Sequence, residues 1–89
     1  MPTRATAVVA SRIGLHARPV SVFTRAVRAT GISVTIARPG EEGVNAASPL
    51  LVMSLGVAHG DEVVLESDAA DADAHLNDLA RLLESELDA

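Results

Sequence analysis

The amino-acid sequence predicts an α+β fold, a two-layer sandwich in which helices cover one face of a sheet. Short β-branched runs with alternating apolar residues are interleaved with amphipathic helical segments, in the order βαββαβα. Each helical segment has a single apolar stripe, so each helix needs one sheet surface to pack against. The chain of 89 residues contains no linker and no repeat, and we therefore expect one domain over residues 1–89.

The elements are predicted from changes between period-two and helical spacing. Strands are predicted at residues 3–11, 32–37, 44–46 and 62–67, and helices at 17–30, at 49–55 and from about 68–71 onward. Gly31 ends the first helix, at a position where glycine is common. Ser48 is a suitable N-cap for the second helix, and Pro49 fits its first turn because no N–H is needed there. A stripe of leucines on the last helix should face the sheet: Leu76, Leu79, Leu83 and Leu87.

Charge is divided unequally along the chain, whose net charge is −5. Residues 1–40 contain six arginines and no acidic residue, whereas residues 41–89 contain twelve acidic residues and a single arginine, Arg81. The fold should therefore present a basic region, either as one side of a dipolar surface or as a docking face for a negatively charged partner. We expect no nucleic acid as partner, because the chain has no lysine, a pI near 4.9 and one aromatic residue, Phe23.

Further classes of function are disfavoured by what the sequence lacks. No apolar run approaches the roughly 18 residues of a membrane span, and residues 1–10 lack a secretory signal, so we expect a cytoplasmic protein without direct membrane insertion. Without cysteine, neither a disulfide nor a thiolate metal site can form. His59 and His75 have no further ligands at metal-binding spacing, and we expect neither a metal nor a cofactor.

Residues 14–19, with the sequence GLHARP, place a histidine where a strand leads into a helix. The first N–H groups of a helix have no internal partner and lie at its positive end, so the amides of Ala17 and Arg18 predict an anion site. The Arg18 guanidinium suits phosphate oxygens, and a ring nitrogen of His16 can act as a nucleophile. These residues indicate phosphoryl transfer to and from His16; the alternative is a surface histidine beside an unrelated arginine.

The first predicted helix continues this pattern on one face. Ser21, Arg25 and Arg28 follow Arg18 at helical spacing, away from the apolar stripe. The second predicted helix has more apolar residues than a single stripe can bury, so part of them should stay exposed, and we select Leu50. Together these residues predict a docking surface for acidic proteins that carry phosphate.

The motif GLHARP, followed in order by VNAASPLLVMSLG and GDEVVLES, resembles the histidine-containing phosphocarrier (HPr) proteins of the sugar phosphotransferase system. The resemblance covers essentially the whole chain. It implies an open-faced sandwich whose four antiparallel strands have the order 1-4-2-3, with three helices on one face. It further implies that enzyme I, phosphorylated from phosphoenolpyruvate, phosphorylates His16 at Nδ1, and that His16 passes the phosphoryl group to the IIA domain of a sugar permease.

The resemblance also assigns roles to single residues. The Arg18 side chain and the amides of Ala17 and Arg18 would contact the phosphate. The docking residues would be Arg25, Arg28 and Leu50. Ser48 matches a serine that a dedicated kinase phosphorylates in part of the family, so it is either an N-cap alone or also a regulatory site; Pro49 departs from the usual bulky apolar residue and disfavours the second interpretation. Ile13 departs from the small polar residue that often precedes the glycine.

Two classes of function follow. The first is a phosphocarrier, acting as a monomer on enzyme I and IIA domains, more an acceptor and donor than an enzyme in its own right. The second is a regulatory binding module, recognised by a serine kinase or a regulator. The presence of His16 favours the first class, since relatives that serve only regulation lack the histidine. A carrier of the nitrogen-related branch of the phosphotransferase system belongs to the same first class.

Overall fold

The structure of the protein, a computed structural model, describes residues 2–86. Its elements are β1 (Thr3–Val8), α1 (Ala17–Thr30), β2 (Thr35–Ala37), β3 (Val44–Asn45), α2 (Pro49–Ser54), β4 (Glu62–Ser67) and α3 (Ala72–Leu83). This is the predicted order βαββαβα. In the part of the chain that is described, no helix is both long and apolar enough to cross a membrane.

The strands form one antiparallel sheet in the order β1-β4-β2-β3. β4 pairs with β1 from Thr3 opposite Ser67 to the other end of both strands, and on its other side it pairs with β2. The short β3 extends the sheet beyond β2. The three helices cover one face, so the predicted open-faced α+β sandwich is confirmed.

The hydrophobic core lies between the helices and the covered face of the sheet. Phe23 of α1 is fully buried, as are Val63 and Leu65 of β4. The leucine stripe of α3 is buried as far as Leu83, and Leu87 lies outside the described residues. The opposite face of the sheet is open to solvent and includes Arg4, Thr6, Thr35, Val64 and Glu66.

Three strands are shorter than predicted, β3 by a single residue because it ends at Asn45. β1 ends at Val8 because the chain then pairs with a turn instead of a strand: the N–H of Val9 donates to the carbonyl of Asp61 at 2.9 Å. β2 begins only at Thr35, three residues later than predicted, where it comes into register with β3 and β4. The predicted division into two sides still holds, since Ile36 is buried and Ile32 packs against the core.

Both predicted ends of α1 and the predicted start of α2 are confirmed. Gly31 follows α1 in the left-handed conformation, with φ of 73°, and its N–H donates to the carbonyl of Arg28 at 3.2 Å. At the start of α2, Ser48 Oγ accepts a hydrogen bond from the N–H of Leu51 at 3.3 Å, with Pro49 in the first turn. α1 and α2 pack against each other, and Arg28 near the end of α1 contacts Ala47, just before α2.

Candidate functional site

A short loop leads from β1 into α1 and carries GLHARP. Its anchor is Leu15, which is buried and whose N–H donates to the carbonyl of Val57 at 3.0 Å. Gly14 lies against the same segment and donates its N–H to the carbonyl of Ser11 at 2.9 Å. His16, the residue after Leu15, is exposed. The loop thus buries one side chain and presents the following one to solvent.

Gly14 is required at its position for two reasons. Its φ of 71° is left-handed, a conformation that side chains disfavour. A Cβ at this position would also lie 2.5 Å from the carbonyl oxygen of Val57 and 2.9 Å from Cα of Ala58. Both atoms belong to the backbone, so neither can be moved by a change of rotamer. The glycine therefore allows the loop between β1 and α1 to rest directly on residues 57–58.

We expect Gly14→Ala to destabilise the protein more than Gly40→Ala. Gly40 has the same kind of backbone, with φ of 80°, but a Cβ there would meet nothing within 4 Å. The Gly40 substitution should cost about 1–2 kcal/mol of unfolding free energy from left-handed backbone alone. The Gly14 substitution should add about 1–3 kcal/mol because the backbone must move. Urea unfolding of both variants measures the difference, and equal losses would contradict the close packing of the loop.

His16 is the N-cap of α1, yet its side chain caps nothing. Its backbone is extended, with φ of −104° and ψ of −171°, and its side chain makes no capping hydrogen bond. The first main-chain bond of the helix runs from the N–H of Val20 to the carbonyl of His16 at 2.8 Å. Within residues 2–86, the N–H groups of Ala17 and Arg18 have no acceptor. The start of α1 therefore offers two free donors at the positive end of a helix.

Covalent geometry distinguishes the two ring nitrogens of His16. Nδ1 lies as many bonds from Cα as the side-chain oxygen of aspartate or asparagine, the atom that reaches the first N–H groups when those residues cap a helix. A group attached to Nδ1 thus starts close to the amides of Ala17 and Arg18. Nε2 lies one bond further out. The geometry favours Nδ1 as the atom whose substituent the helix start can bind.

The arginines fall into two sets according to their partners. Arg4 pairs with Glu66 at 2.7 Å and Arg12 with Glu86 at 3.8 Å, while Arg38 lies 3.6 Å from Asp61 and 3.9 Å from Glu41. The three arginines of α1 have no carboxylate within ion-pair distance among the residues that the structure describes: Arg18, Arg25 and Arg28. Outside α1, Arg81 of α3 also lacks an ion pair among the described residues, so α1 carries three of the four arginines that have no acidic partner there.

The exposed side of α1 forms what we call the basic face, which consists of Arg18, Ser21, Arg25 and Arg28. The guanidinium of Arg25 donates to Ser21 Oγ at 3.0 Å, which orders both side chains along the helix. The guanidinium of Arg28 donates to the carbonyl of Ala47 at 3.0 Å, which joins the end of α1 to the segment before α2. The structure therefore brings together all the predicted residues of this helix face, with the charges exposed.

Next to the basic face lies an apolar patch on α2, which consists of Leu50, Leu51 and Met53. Leu50 is 80% exposed, although its side chain is large and apolar. The core contact of α2 is made instead by Val52, which is fully buried. An exposed apolar patch beside unbalanced positive charge is typical of a protein interface. Leu50 therefore occupies the exposed position that the sequence predicts.

The support beneath the loop is not predicted from the sequence. Residues 57–61 form a turn that contacts residues 9–15, and Asp61 and Arg38 hold this turn in place. No role at this site is predicted from the sequence for Arg38 or Asp61. The one local signal was Gly14, since a glycine before a helix indicates that another backbone comes close.

Comparison with known proteins gives the family. The family model described as "PTS HPr component phosphorylation site" matches residues 3–85. The phosphocarrier protein HPr of Streptomyces coelicolor is 56% identical over 70 residues, which cover 79% of this chain and 75% of that protein. The phosphocarrier protein HPr of Haloferax volcanii is 39% identical over 79 residues, which cover 88% of this chain and 89% of that protein.

Solved structures show the same fold. The crystal structure of HPr-C-His from Thermoanaerobacter tengcongensis aligns with a TM-score of 0.86 and 29% identity, over 98% of this chain and 97% of that chain. A phosphocarrier protein HPr from Bacillus anthracis aligns with a TM-score of 0.83 and 27% identity, over 92% of this chain and 96% of that chain. The chain therefore belongs to the PTS-HPr family and is a phosphocarrier of the phosphotransferase system.

Proposed function

We propose that the chain accepts a phosphoryl group from phospho-enzyme I on Nδ1 of His16 and passes it to the IIA domains of sugar permeases. The observation that supports this most strongly is the start of α1. There an exposed histidine precedes two backbone N–H groups without acceptors in the described chain, beside an arginine without a carboxylate partner. These features provide a nucleophile, hydrogen-bond donors and a cation for one phosphoryl group.

The transfer step uses the neutral imidazole with its proton on Nε2. The lone pair of Nδ1 forms a bond to phosphorus, while the bond from phosphorus to the donor atom of phospho-enzyme I breaks and the donor keeps the electron pair. The phosphoryl oxygens then face the amides of Ala17 and Arg18 and the Arg18 guanidinium, which stabilise their negative charge. Transfer to a IIA domain follows the same path with His16 as the donor.

The surroundings of His16 suit a reaction between two proteins. His16 is exposed at a helix end, so the reacting group of a partner can approach its ring directly. The basic face of α1 would attract acidic partners and the apolar patch of α2 would bury against them. Both surfaces belong to one chain, and we propose that a monomer docks in the cytoplasm with enzyme I and IIA domains in turn.

We expect Leu50→Ser to weaken binding of enzyme I roughly 10- to 100-fold, since burial of a leucine side chain contributes about 1.5–3 kcal/mol. Stability should change by less than about 0.5 kcal/mol, because the residue is mostly exposed. Val8→Ser is the matched control: Val8 is also exposed, at 48%, but lies on the open face of the sheet. Calorimetric titration of enzyme I measures the affinity of both variants. Equal losses of affinity would contradict a docking role for the apolar patch.

The relay itself is tested with labelled phosphoenolpyruvate. A trace of enzyme I should load the protein with one labelled phosphate, and a cognate IIA domain added later should remove the label from it. A regulatory binding module would instead bind enzyme I without becoming labelled. Label that stays on the protein after IIA is added would contradict the carrier function, and substitution of IIA domains from sugar-related and nitrogen-related branches identifies the branch served.

Ser48 has a structural role that its sequence context predicts. Its Oγ caps α2 through the N–H of Leu51, and it is half-buried beside Ala47, the residue that Arg28 contacts. We propose the N-cap as its main role, with Pro49 disfavouring recognition by a kinase. Phosphorylation of Ser48 by a dedicated serine kinase stays a prediction, and it would place negative charge beside the basic face, where acidic partners dock.

A further inference from the structure

We propose that Asp61 is a positioning residue for His16, acting through the turn on which the loop between β1 and α1 rests. This role rests on the proposed transfer at His16. The reaction would need Asp61 although Asp61 does not touch the reacting atoms. Asp61 directly precedes β4, in the turn 58–61, and its side chain is 37% exposed. Three connected sets of contacts link it to Leu15, the residue directly before His16.

Asp61 closes its own turn with both its side chain and its backbone. Its Oδ2 accepts a hydrogen bond from the N–H of Ala58 at 2.9 Å, and its own N–H donates to the carbonyl of Ala58 at 3.1 Å. Gly60 allows this closure with a φ of 87°. The carboxylate thus fixes the peptide that joins Val57 to Ala58, and with it the direction of the Val57 carbonyl.

Arg38 holds the same carboxylate from the other side. Its Nη1 lies 3.6 Å from Asp61 Oδ2 and also donates to the carbonyls of Leu55 and Gly56, each at 3.3 Å. These carbonyls follow α2, where helix carbonyls have no internal partner. Asp61 and Arg38 therefore connect the turn 58–61 to both the end of α2 and the end of β2.

The turn supports the loop between β1 and α1 through several backbone contacts. The carbonyl of Val57 accepts the N–H of Leu15 at 3.0 Å, and Leu15 directly precedes His16. The N–H of Gly60 donates to the carbonyl of Val9 at 2.8 Å, at the other end of the loop. His59 adds a contact from Nδ1 to the carbonyl of Ala10 at 3.1 Å. Residues 9–15 thus lie against residues 57–61 along their length.

This connection affects the reaction because transfer between two proteins depends on the position of one ring. A displacement of about 1 Å in a reacting group can slow a reaction roughly 100-fold. If the peptide between Val57 and Ala58 rotates, the bond to Leu15 lengthens and the start of α1 moves with it. A purely structural role for Asp61 would instead lower overall stability and leave transfer by the folded protein unchanged.

Three substitutions separate the acceptor geometry of Asp61 from its charge. Asp61→Asn keeps an oxygen that can accept the N–H of Ala58 but removes the charge. Asp61→Glu keeps the charge but moves the acceptor by one methylene, and Asp61→Ala removes both. Glu41→Ala is the matched control, since Glu41 is the other carboxylate beside Arg38 and has no contact with the turn among the described residues. It removes the same charge from the same partner.

The measurements are the transfer rate from phospho-enzyme I and the hydrogen exchange of the Leu15 amide, at a temperature at which every variant is folded. Asp61→Ala and Asp61→Glu should slow transfer roughly 10- to 100-fold and accelerate Leu15 exchange relative to the core amide of Leu65. Asp61→Asn should retain most of both properties, and Glu41→Ala all of them. If Asp61→Ala does not fold, the comparison of Asp61→Glu with Asp61→Asn decides the question, because both keep a polar side chain in the turn.

Each contrary result has one meaning. Transfer at the unchanged rate in Asp61→Glu would overturn the positioning role while leaving the proposed function intact. Slow transfer with unchanged Leu15 exchange would overturn the route through Val57. No label on the unsubstituted protein would contradict the proposed function, and the exchange data would then still report whether Asp61 holds the loop.

Discussion

His16→Ala should abolish phosphorylation by phospho-enzyme I and leave the fold intact. The substitution removes the proposed acceptor nitrogen, and the remaining chain offers no second nucleophile at the start of α1. The side chain is exposed and makes no capping hydrogen bond, so the free energy of unfolding should change by less than about 0.5 kcal/mol. Incorporation of labelled phosphate and urea unfolding of the same preparation measure both effects.

The control for this substitution is another histidine. His75 lies on α3, apart from the basic face, and His75→Ala should be labelled like the unsubstituted protein. Label retained in His16→Ala would show that another residue accepts the phosphoryl group. Loss of the folded state in His16→Ala would mean that the histidine has a structural role that its exposure does not indicate.

Arg18→Glu should slow transfer to His16 roughly 10- to 100-fold. The guanidinium is expected to form charge-assisted hydrogen bonds to the phosphoryl oxygens, and such bonds contribute about 1.5–3 kcal/mol, which corresponds to this range of rates. The introduced carboxylate also repels the phosphoryl group. Rapid-quench measurement of the transfer from phospho-enzyme I gives the rate directly, and docking can be separated by its dependence on protein concentration.

Arg4→Glu is the matched control, since it makes the same change in net charge at a distant place. Arg4 lies on the open face of the sheet, paired with Glu66 at 2.7 Å. At physiological salt, exposed charges farther apart than about 8 Å are largely screened, so transfer should be close to that of the unsubstituted protein. Comparable losses in the two variants would mean that Arg18 contributes only general charge.

The sequence was most informative where a boundary has a local chemical cause. α1 begins and ends at the predicted residues because Pro19 fits a first turn and Gly31 adopts the left-handed conformation that ends a helix. The start of α2 was predictable for the same reason, from Ser48 and Pro49. The alternation of 32–37 identified the buried side of β2 but not its length, since periodicity does not report which residues have a partner strand.

The support of the loop between β1 and α1 could not be predicted, because it depends on residues far apart in the sequence. Gly14 meets Val57 and Ala58 across more than forty residues, and Arg38 meets Asp61 because β2 and β4 are neighbours in the sheet. The sequence shows six arginines in its first forty residues, but not which of them acquire acidic partners. Only the fold shows that the arginines of α1 have none among the described residues, whereas Arg4 and Arg38 do.

The proposed function requires that one phosphoryl group be carried on the ring of His16. The most direct test is the intact mass of the protein after incubation with phosphoenolpyruvate and a cognate enzyme I, before and after mild acid, with fragmentation to locate the modified residue. We predict a gain of one phosphate on His16 that mild acid removes, because a phosphorus–nitrogen bond to imidazole is acid-labile. An acid-stable phosphate on a serine, or no gain with an enzyme I shown to be active, would contradict the account.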